Sequence, residues 1–178
     1  MPQRANRFWT IFLVTVLLDV TTKRFAVTQL TPPYIPHNII GDVLRFTLAF
    51  NPEGAMSISL GPSSRWWFVL LSFGTLFVLA YMLRQTPRED RFQIASIALI
   101  CGGAVGNLLD RLRSARGVVD FIDIGIGSHR FWTFNLADLA VTTGTAMLTW
   151  ILCVRAAKEE RRTHALAGGP SRAFDEPT

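Results

Sequence analysis

The sequence is short of charge. Only 17% of its 178 residues are charged, against 49% hydrophobic, where an average soluble domain carries about 25% charged residues. From Trp66 to Leu83, and again from Phe92 to Leu109, there is no charged residue at all. Each run is long enough to cross a bilayer core, which argues for an integral membrane protein. Cysteine is scarce: Cys101 and Cys153 lie singly inside apolar runs, with no CxxC. They read as small apolar side chains, not as a disulfide or redox pair. The three histidines, His37, His129 and His164, are scattered and form no HExxH. A zinc site is therefore poorly supported, although composition alone leaves an all-carboxylate metal site open. Lys and Arg outnumber Asp and Glu 18 to 13, an excess that could point to nucleic acid. The cations sit mostly at the ends of apolar segments, where membrane proteins place them, so nucleic-acid binding is set aside.

Four apolar segments remain, at about 8–28, 66–84, 92–109 and 136–154. They predict a mostly α, polytopic membrane protein with four transmembrane helices, forming one membrane domain over 1–164. The Gly/Pro/Ser-rich piece 165–178 is expected to be a disordered tail. The first span carries Asp19 and Lys23 four residues apart, on one helix face, where they can pair. An ionisable residue that deep in a span is a site candidate by default, although a plain interfacial salt bridge explains it equally well. In the third span Ala98, Gly102 and Gly106 form a stripe that lets another helix approach closely. Asn135 stands at an N-cap position and Asp138 in the first turn of the fourth span.

Two polar excursions separate the spans. In 29–65, Leu44–Phe50 alternates as a half-buried strand does and runs into the turn signal Asn51-Pro52-Glu53-Gly54. In 110–134, Gly117–Ile124 has strand composition. A small extracytoplasmic sheet or cradle, strand-rich over 42–60, is expected to lie on the membrane, its apolar face against helices or lipid; a bland hairpin is the alternative. Counting every Lys and Arg gives only a weak inside bias, but the 84–91 loop is compact and basic. With both termini cytoplasmic, Asp19, Asn51, Asn107, Asp110, Arg111, Asp120, Asn135 and Asp138 all fall at the outer face.

That convergence is the functional signal. Acidic groups are costly near a membrane, and the stretch Gly102–Asp138 gathers Asp110, Asp120, Asp123 and Asp138. Two carboxylates held close share a proton near neutral pH. One member can take a proton from water while the other protonates the scissile carbonyl or leaving nitrogen. Asp120 and Asp138 are the expected pair, with Asp138 the expected ionised member because a helix N-terminus favours negative charge. Asn107 and Asn135 could orient them, and Arg111 could bind a carbonyl or a lipid headgroup. The bland alternatives are that Asp138 caps a helix, Asp110 pairs with Arg111 or Arg113, and Asp120 caps a turn.

At these residues the sequence resembles the lipoprotein signal peptidase family (signal peptidase II). The matching motifs are Asp19-x-x-Thr22-Lys23, Gly102-Gly103-Ala104-x-Gly106-Asn107-x-x-Asp110-Arg111, Gly117-x-Val119-Asp120-Phe121 and Phe134-Asn135-x-Ala137-Asp138. The resemblance covers roughly residues 8–155. Where the family usually has Asn-x-Gly-Ala-Ala-Phe, this chain has Asn51-Pro52-Glu53-Gly54-Ala55-Met56-Ser57, with one extra residue and no aromatic. The resemblance implies an aspartic endopeptidase of the bacterial cytoplasmic membrane that removes signal peptides from diacylglyceryl-modified prolipoproteins, before the lipidated cysteine. It implies Asp120 and Asp138 as catalytic. Asp19, Lys23, Asn51, Gly54, Asn107, Arg111 and Asn135 are implied as supporting or substrate-binding. No cofactor or metal is implied. The expected partners are the prolipoprotein, membrane lipid and cyclic peptide inhibitors such as globomycin, and a monomer is expected. The competing readings are a proton-coupled carrier using the carboxylates as a relay, and a membrane scaffold whose acidic cluster is a solvated rim.

Overall fold

The computed structural model describes residues 2–54 and 58–167. Four helices account for most of it: α1 Pro2–Gln29, α2 Ser64–Gln85, α3 Arg91–Arg113 and α4 Leu136–Ala167. Between α1 and α2 lie strands β1 Pro36–Ile40 and β2 Leu44–Asn51; between α3 and α4 lie β3 Val118–Ile126 and β4 His129–Arg130. The chain is thus mostly helical with a small antiparallel sheet. Three helices, α2, α3 and α4, are long and apolar enough to cross a membrane. α1 has the length, at 28 residues, but carries Asp19, Lys23 and Arg24 within its second half.

α3 is the central helix. It packs on α1, α2 and α4, and its glycines set how closely two of them approach. A Cβ on Gly102 would sit 2.7 Å from the Thr15 Cβ of α1, and one on Gly106 would collide with the Asp19 carboxylate. On the next face, Gly103 lies against the Ala137 carbonyl of α4. The small-residue stripe therefore seats α1, while neighbouring Gly103 seats α4. Leu79, Ile97, Ile100, Cys101 and Leu148 form the apolar core among the helices. Large side chains such as Leu13, Leu17, Leu70, Phe77 and Trp150 face outward, as expected of helices that meet lipid.

The sheet has the order β1-β2-β3-β4, so both polar excursions contribute to it. β2 runs antiparallel to β3, with Leu44 opposite Ile124 and Asn51 opposite Val118. Its apolar face packs on a helix end: Leu48 and Phe121 join Ala26 and Leu30 of α1 in a second core. An isolated bridge between Ile122 and Phe134 ties the approach to α4 against β3.

Three boundaries differ from expectation. α3 continues to Arg113, so Asp110 and Arg111 belong to the helix and the second excursion begins after it. α4 runs past residue 154 to Ala167; its extension, Arg155 onward, is rich in Ala, Lys, Glu and Arg, which are strong helix formers. The expected tail thus begins as helix at 165–167, and its remainder lies outside the described residues. The segment 42–60 is strand only over Leu44–Asn51; Pro52 and Glu53 form a bend, and Gly54 and 58–60 have no regular structure.

Candidate active site

The site lies where α3 ends and α4 begins, beneath the sheet. α4 opens with a reciprocal capping box. The Asp138 backbone N–H donates to Asn135 Oδ1 at 3.0 Å, and the Asn135 N–H donates to Asp138 Oδ2 at 3.2 Å. Asp19 of α1 takes another free N–H of that helix end, accepting from Ala137 N at 2.9 Å. The capping role foreseen for Asp138 is therefore real; it uses Oδ2 and leaves Oδ1 for Asn107.

Asn135 also joins the two carboxylates. Its Nδ2 donates to Asp120 Oδ1 at 2.7 Å, and its backbone N–H holds Asp138. The bridge between Ile122 and Phe134 produces this arrangement, because it lays residue 135 beside Asp120 of β3. Asn107 completes the set: its Nδ2 donates to Asp138 Oδ1 at 2.8 Å, while its Oδ1 accepts from Lys23 Nζ at 2.8 Å and from Asn135 Nδ2 at 3.2 Å. Lys23 further pairs with Asp19 at 2.8 Å and Asp110 at 2.9 Å. The Asp19–Lys23 pair is fully buried and braces α3 and α4. Asp110 pairs with Lys23, not with Arg111 or Arg113, and accepts from Val119 N at 3.3 Å.

Asp120 does not cap a turn. It is 4% exposed, and burial pushes its carboxyl from the ordinary 3.8 up to about 7. The Asp138 carboxylate pushes the same way; the Asn135 and Asn51 amides and the Lys23 charge oppose it. One cleft is lined by both Asp120 and Asp138 together with Asn51, Asn107 and Arg111.

Asn51 and Gly54 form the turn after β2. Asn51 Oδ1 accepts from Glu53 N at 2.9 Å and its Nδ2 donates to the Gly54 carbonyl at 3.1 Å. Gly54 rests against the Phe68 ring, which leaves no room for a Cβ. The altered positions Ala55, Met56 and Ser57 lie outside the described residues. Arg111 does reach a carbonyl, that of Glu53 in this same turn, at 3.0 Å, with its guanidinium over Phe68 at 5.4 Å. Asp123, which the sequence groups with the others, stands apart and pairs with Arg130 at 2.8 Å.

Sequence reasoning missed Phe68, which seats Arg111 and Gly54, and the pair Phe131–Trp132. The latter line the cleft while remaining half exposed. Two adjacent aromatics just ahead of the Asn135 motif were the available signal.

Fold and site together define a helical membrane protein with a paired-carboxylate centre at one end of its bundle. A family model described as signal peptidase (SPase) II matches residues 11–154. The lipoprotein signal peptidase of Xylella fastidiosa (strain 9a5c) is 35% identical over 139 residues, 76% of this chain and 82% of its own. That of Teredinibacter turnerae is 34% identical over 148 residues, 82% of this chain and 86% of its own. A solved structure described as a bacterial membrane enzyme, determined in meso at 2.3 Å, superposes with TM-score 0.72 at 26% identity, covering 85% of this chain and 90% of that one. The chain belongs to the signal peptidase II family. It is a peptidase of the bacterial inner membrane.

Proposed function

We propose that this chain is an aspartic endopeptidase that removes the signal peptide from diacylglyceryl-modified prolipoproteins, cutting before the lipidated cysteine, with Asp120 and Asp138 as its catalytic pair. The single observation that carries the reading is Asn135 holding both carboxyls at once, one through its amide and one through its backbone N–H. Asp120, with its raised pKa, holds a proton near neutral pH and donates it to the scissile carbonyl oxygen. Asp138 takes a proton from the attacking water. Collapse of the resulting diol then breaks the C–N bond: Asp138 gives its proton to the leaving nitrogen and Asp120 takes back the proton of one diol hydroxyl, which restores the pair. Asn107, Lys23 and Asp19 hold Asp138 in place; Arg111, Asn51 and Gly54 fix the turn that borders the cleft.

All four helices are proposed to span the membrane, α1 included, because its buried Asp19 and Lys23 are paired with each other and Arg24 stands exposed near its end. Both termini are placed in the cytoplasm and the cleft near the outer face, where a diacylated substrate would be presented. A proton-coupled carrier needs ionisable groups spread through the bilayer depth, whereas here Asp19, Asp110 and Asp138 gather at one end of the bundle with Asp120. Globomycin-type cyclic peptides are proposed to occupy the same cleft.

The test uses purified protein in detergent with a diacylated and a non-acylated precursor, with and without globomycin. Cleavage of the diacylated precursor alone, blocked by globomycin, is expected. Asp120→Asn and Asp138→Asn each keep one carbonyl oxygen, so the bond to Asn135 survives in both, while Asp138→Asn gives up the second acceptor that Asn107 Nδ2 faces. Each is expected to lower cleavage by at least about 10³-fold while leaving the helical circular dichroism unchanged. Near-normal cleavage by either variant removes that residue from the pair.

A further inference from the structure

We propose that a groove between α1 and α3, behind the carboxylate centre, binds the phosphate of an anionic membrane phospholipid through Arg24 and Arg113. Val20 and Val27 of α1 give the groove an apolar wall, the buried Lys23 and half-buried Asp110 form its back, and Arg24 and Arg113 stand exposed at its edge. Three of these side chains are cationic and one is acidic, so the groove carries a net positive charge. The one carboxylate, Asp110, is already covered by Lys23 at 2.9 Å and by the Val119 N–H. Lys23 in turn spends its three donors on Asp19, Asp110 and Asn107. The charge left for a ligand is therefore that of the two guanidiniums.

Their idleness is specific to them. The other arginines at this end of the molecule are each engaged. Arg45 pairs with Asp42 and Arg130 with Asp123; Arg65 donates to the Arg111 carbonyl, Arg111 to the Glu53 carbonyl, and Arg116 lies over the Phe50 ring. Among the described residues the guanidiniums of Arg24 and Arg113 make no hydrogen bond or ion pair, although the Arg24 carbonyl accepts from Thr28 Oγ1. They are contributed by neighbouring helices whose outward faces are apolar, with Leu17 and Phe25 exposed on α1 and Leu112 on α3. A guanidinium pair above a lipid-facing apolar wall matches a phosphate whose acyl chains run down that wall. Bound there, the lipid ties α1 to α3 at the level of Lys23, which orients Asn107 toward Asp138. The site stands independently of the catalytic roles of the aspartates.

The test takes the full chain in detergent micelles doped with phosphatidylglycerol or with phosphatidylcholine at equal mole fraction, read by native mass spectrometry and by Tm. Wild type is expected to retain phosphatidylglycerol about tenfold more than phosphatidylcholine and to gain several degrees in Tm from it. Arg24→Gln/Arg113→Gln is expected to lose both effects while keeping wild-type cleavage in lipid-free micelles. Arg84→Gln/Arg88→Gln, at the opposite end of the bundle, is expected to keep both. Equal retention by wild type and the Arg24/Arg113 variant overturns the site, as does equal loss in the Arg84/Arg88 variant, which means diffuse charge attraction. A variant that keeps phosphatidylglycerol but raises KM for the diacylated precursor assigns the groove to the substrate's own acyl chains and likewise overturns the lipid site.

Discussion

Asp120 and Asp138 are chemically the same residue, and their surroundings separate them. Asp138 receives N–H groups from Asn107 and from the Asn135 backbone; Asp120 is buried under the sheet with Asn135 Nδ2 as its close donor. With its carboxyl pushed up to about 7, Asp120 supplies the proton needed for the carbonyl oxygen, and loses it as pH rises. Cleavage is therefore expected to fall on the alkaline side of about pH 7, measured as kcat against pH on a diacylated precursor. Stability moves in the same direction. A group whose folded pKa lies above its unfolded value contributes fully below the unfolded value of 3.8 and loses that contribution as pH rises through about 7. The whole range corresponds to roughly 4 kcal/mol at most. Asp120→Asn has no such proton to lose, so its Tm should stay level between about pH 5 and pH 8 while that of the wild type declines. Parallel declines in both proteins sink the assignment of this titration to Asp120. The residue types and their order were legible in the sequence. That the ion-pair partner of Asp110 is Lys23, that Asp123 pairs with Arg130, and that Asn107 is oriented by Lys23 was not, because spacing along a chain does not say which cation faces which carboxylate.

At the scale of elements, close helix approach is what brings the site's parts into register. Gly106 permits Asp19 to lie against α3, and from there Asp19 reaches the Ala137 N–H of α4. A methyl group at position 106 would meet that carboxylate directly. Gly106→Ala is expected to destabilise by about 1–3 kcal/mol and to lower kcat, through displacement of Asp19 from the helix it caps. Gly74→Ala in α2 is the matched control: nothing lies within 4 Å of its would-be Cβ, and Ala favours helix over Gly by up to about 1 kcal/mol. It should leave activity unchanged and Tm level or higher. Equal effects at the two positions would mean that packing at Gly106 is not special. The stripe itself was legible, as were β2 and the start of β3. The helix ends were not. Charges at Asp110 and Arg111 read as the end of an apolar run, yet α3 continues through them because Lys23 and the Glu53 carbonyl satisfy them. The pairing of β2 with β3 was equally hidden, since alternation marks a strand without naming its partner.

For the whole molecule, the question is which way it sits in the bilayer. The polar architecture is one-sided. Sheet, carboxylate centre and the turn at Asn51–Gly54 occupy one end, while the 84–91 loop and the extension of α4 occupy the other. That second end carries Arg84, Arg88, Arg91, Arg155, Lys158, Arg161 and Arg162, and cations near span ends favour the cytoplasmic side. The sheet end also holds cations, but most are committed to internal partners, such as Arg45 with Asp42 and Arg130 with Asp123. Arg155 pairs with Asp90 and Arg162 with Glu159 at the loop end as well, so the bias rests on the compact 84–91 loop with Arg84, Arg88 and Arg91. The expected topology puts the sheet outside and the loop inside. It is checked in a variant with Cys101 and Cys153 replaced by Ala, carrying either Ser128→Cys in the β3–β4 turn or Arg88→Cys in the loop. In intact spheroplasts a membrane-impermeant maleimide should label position 128 and spare position 88, with position 88 labelled only after lysis. The opposite pattern would place the carboxylate centre on the cytoplasmic side, and labelling of both in sealed cells would remove the even number of crossings on which the shared location of the termini depends.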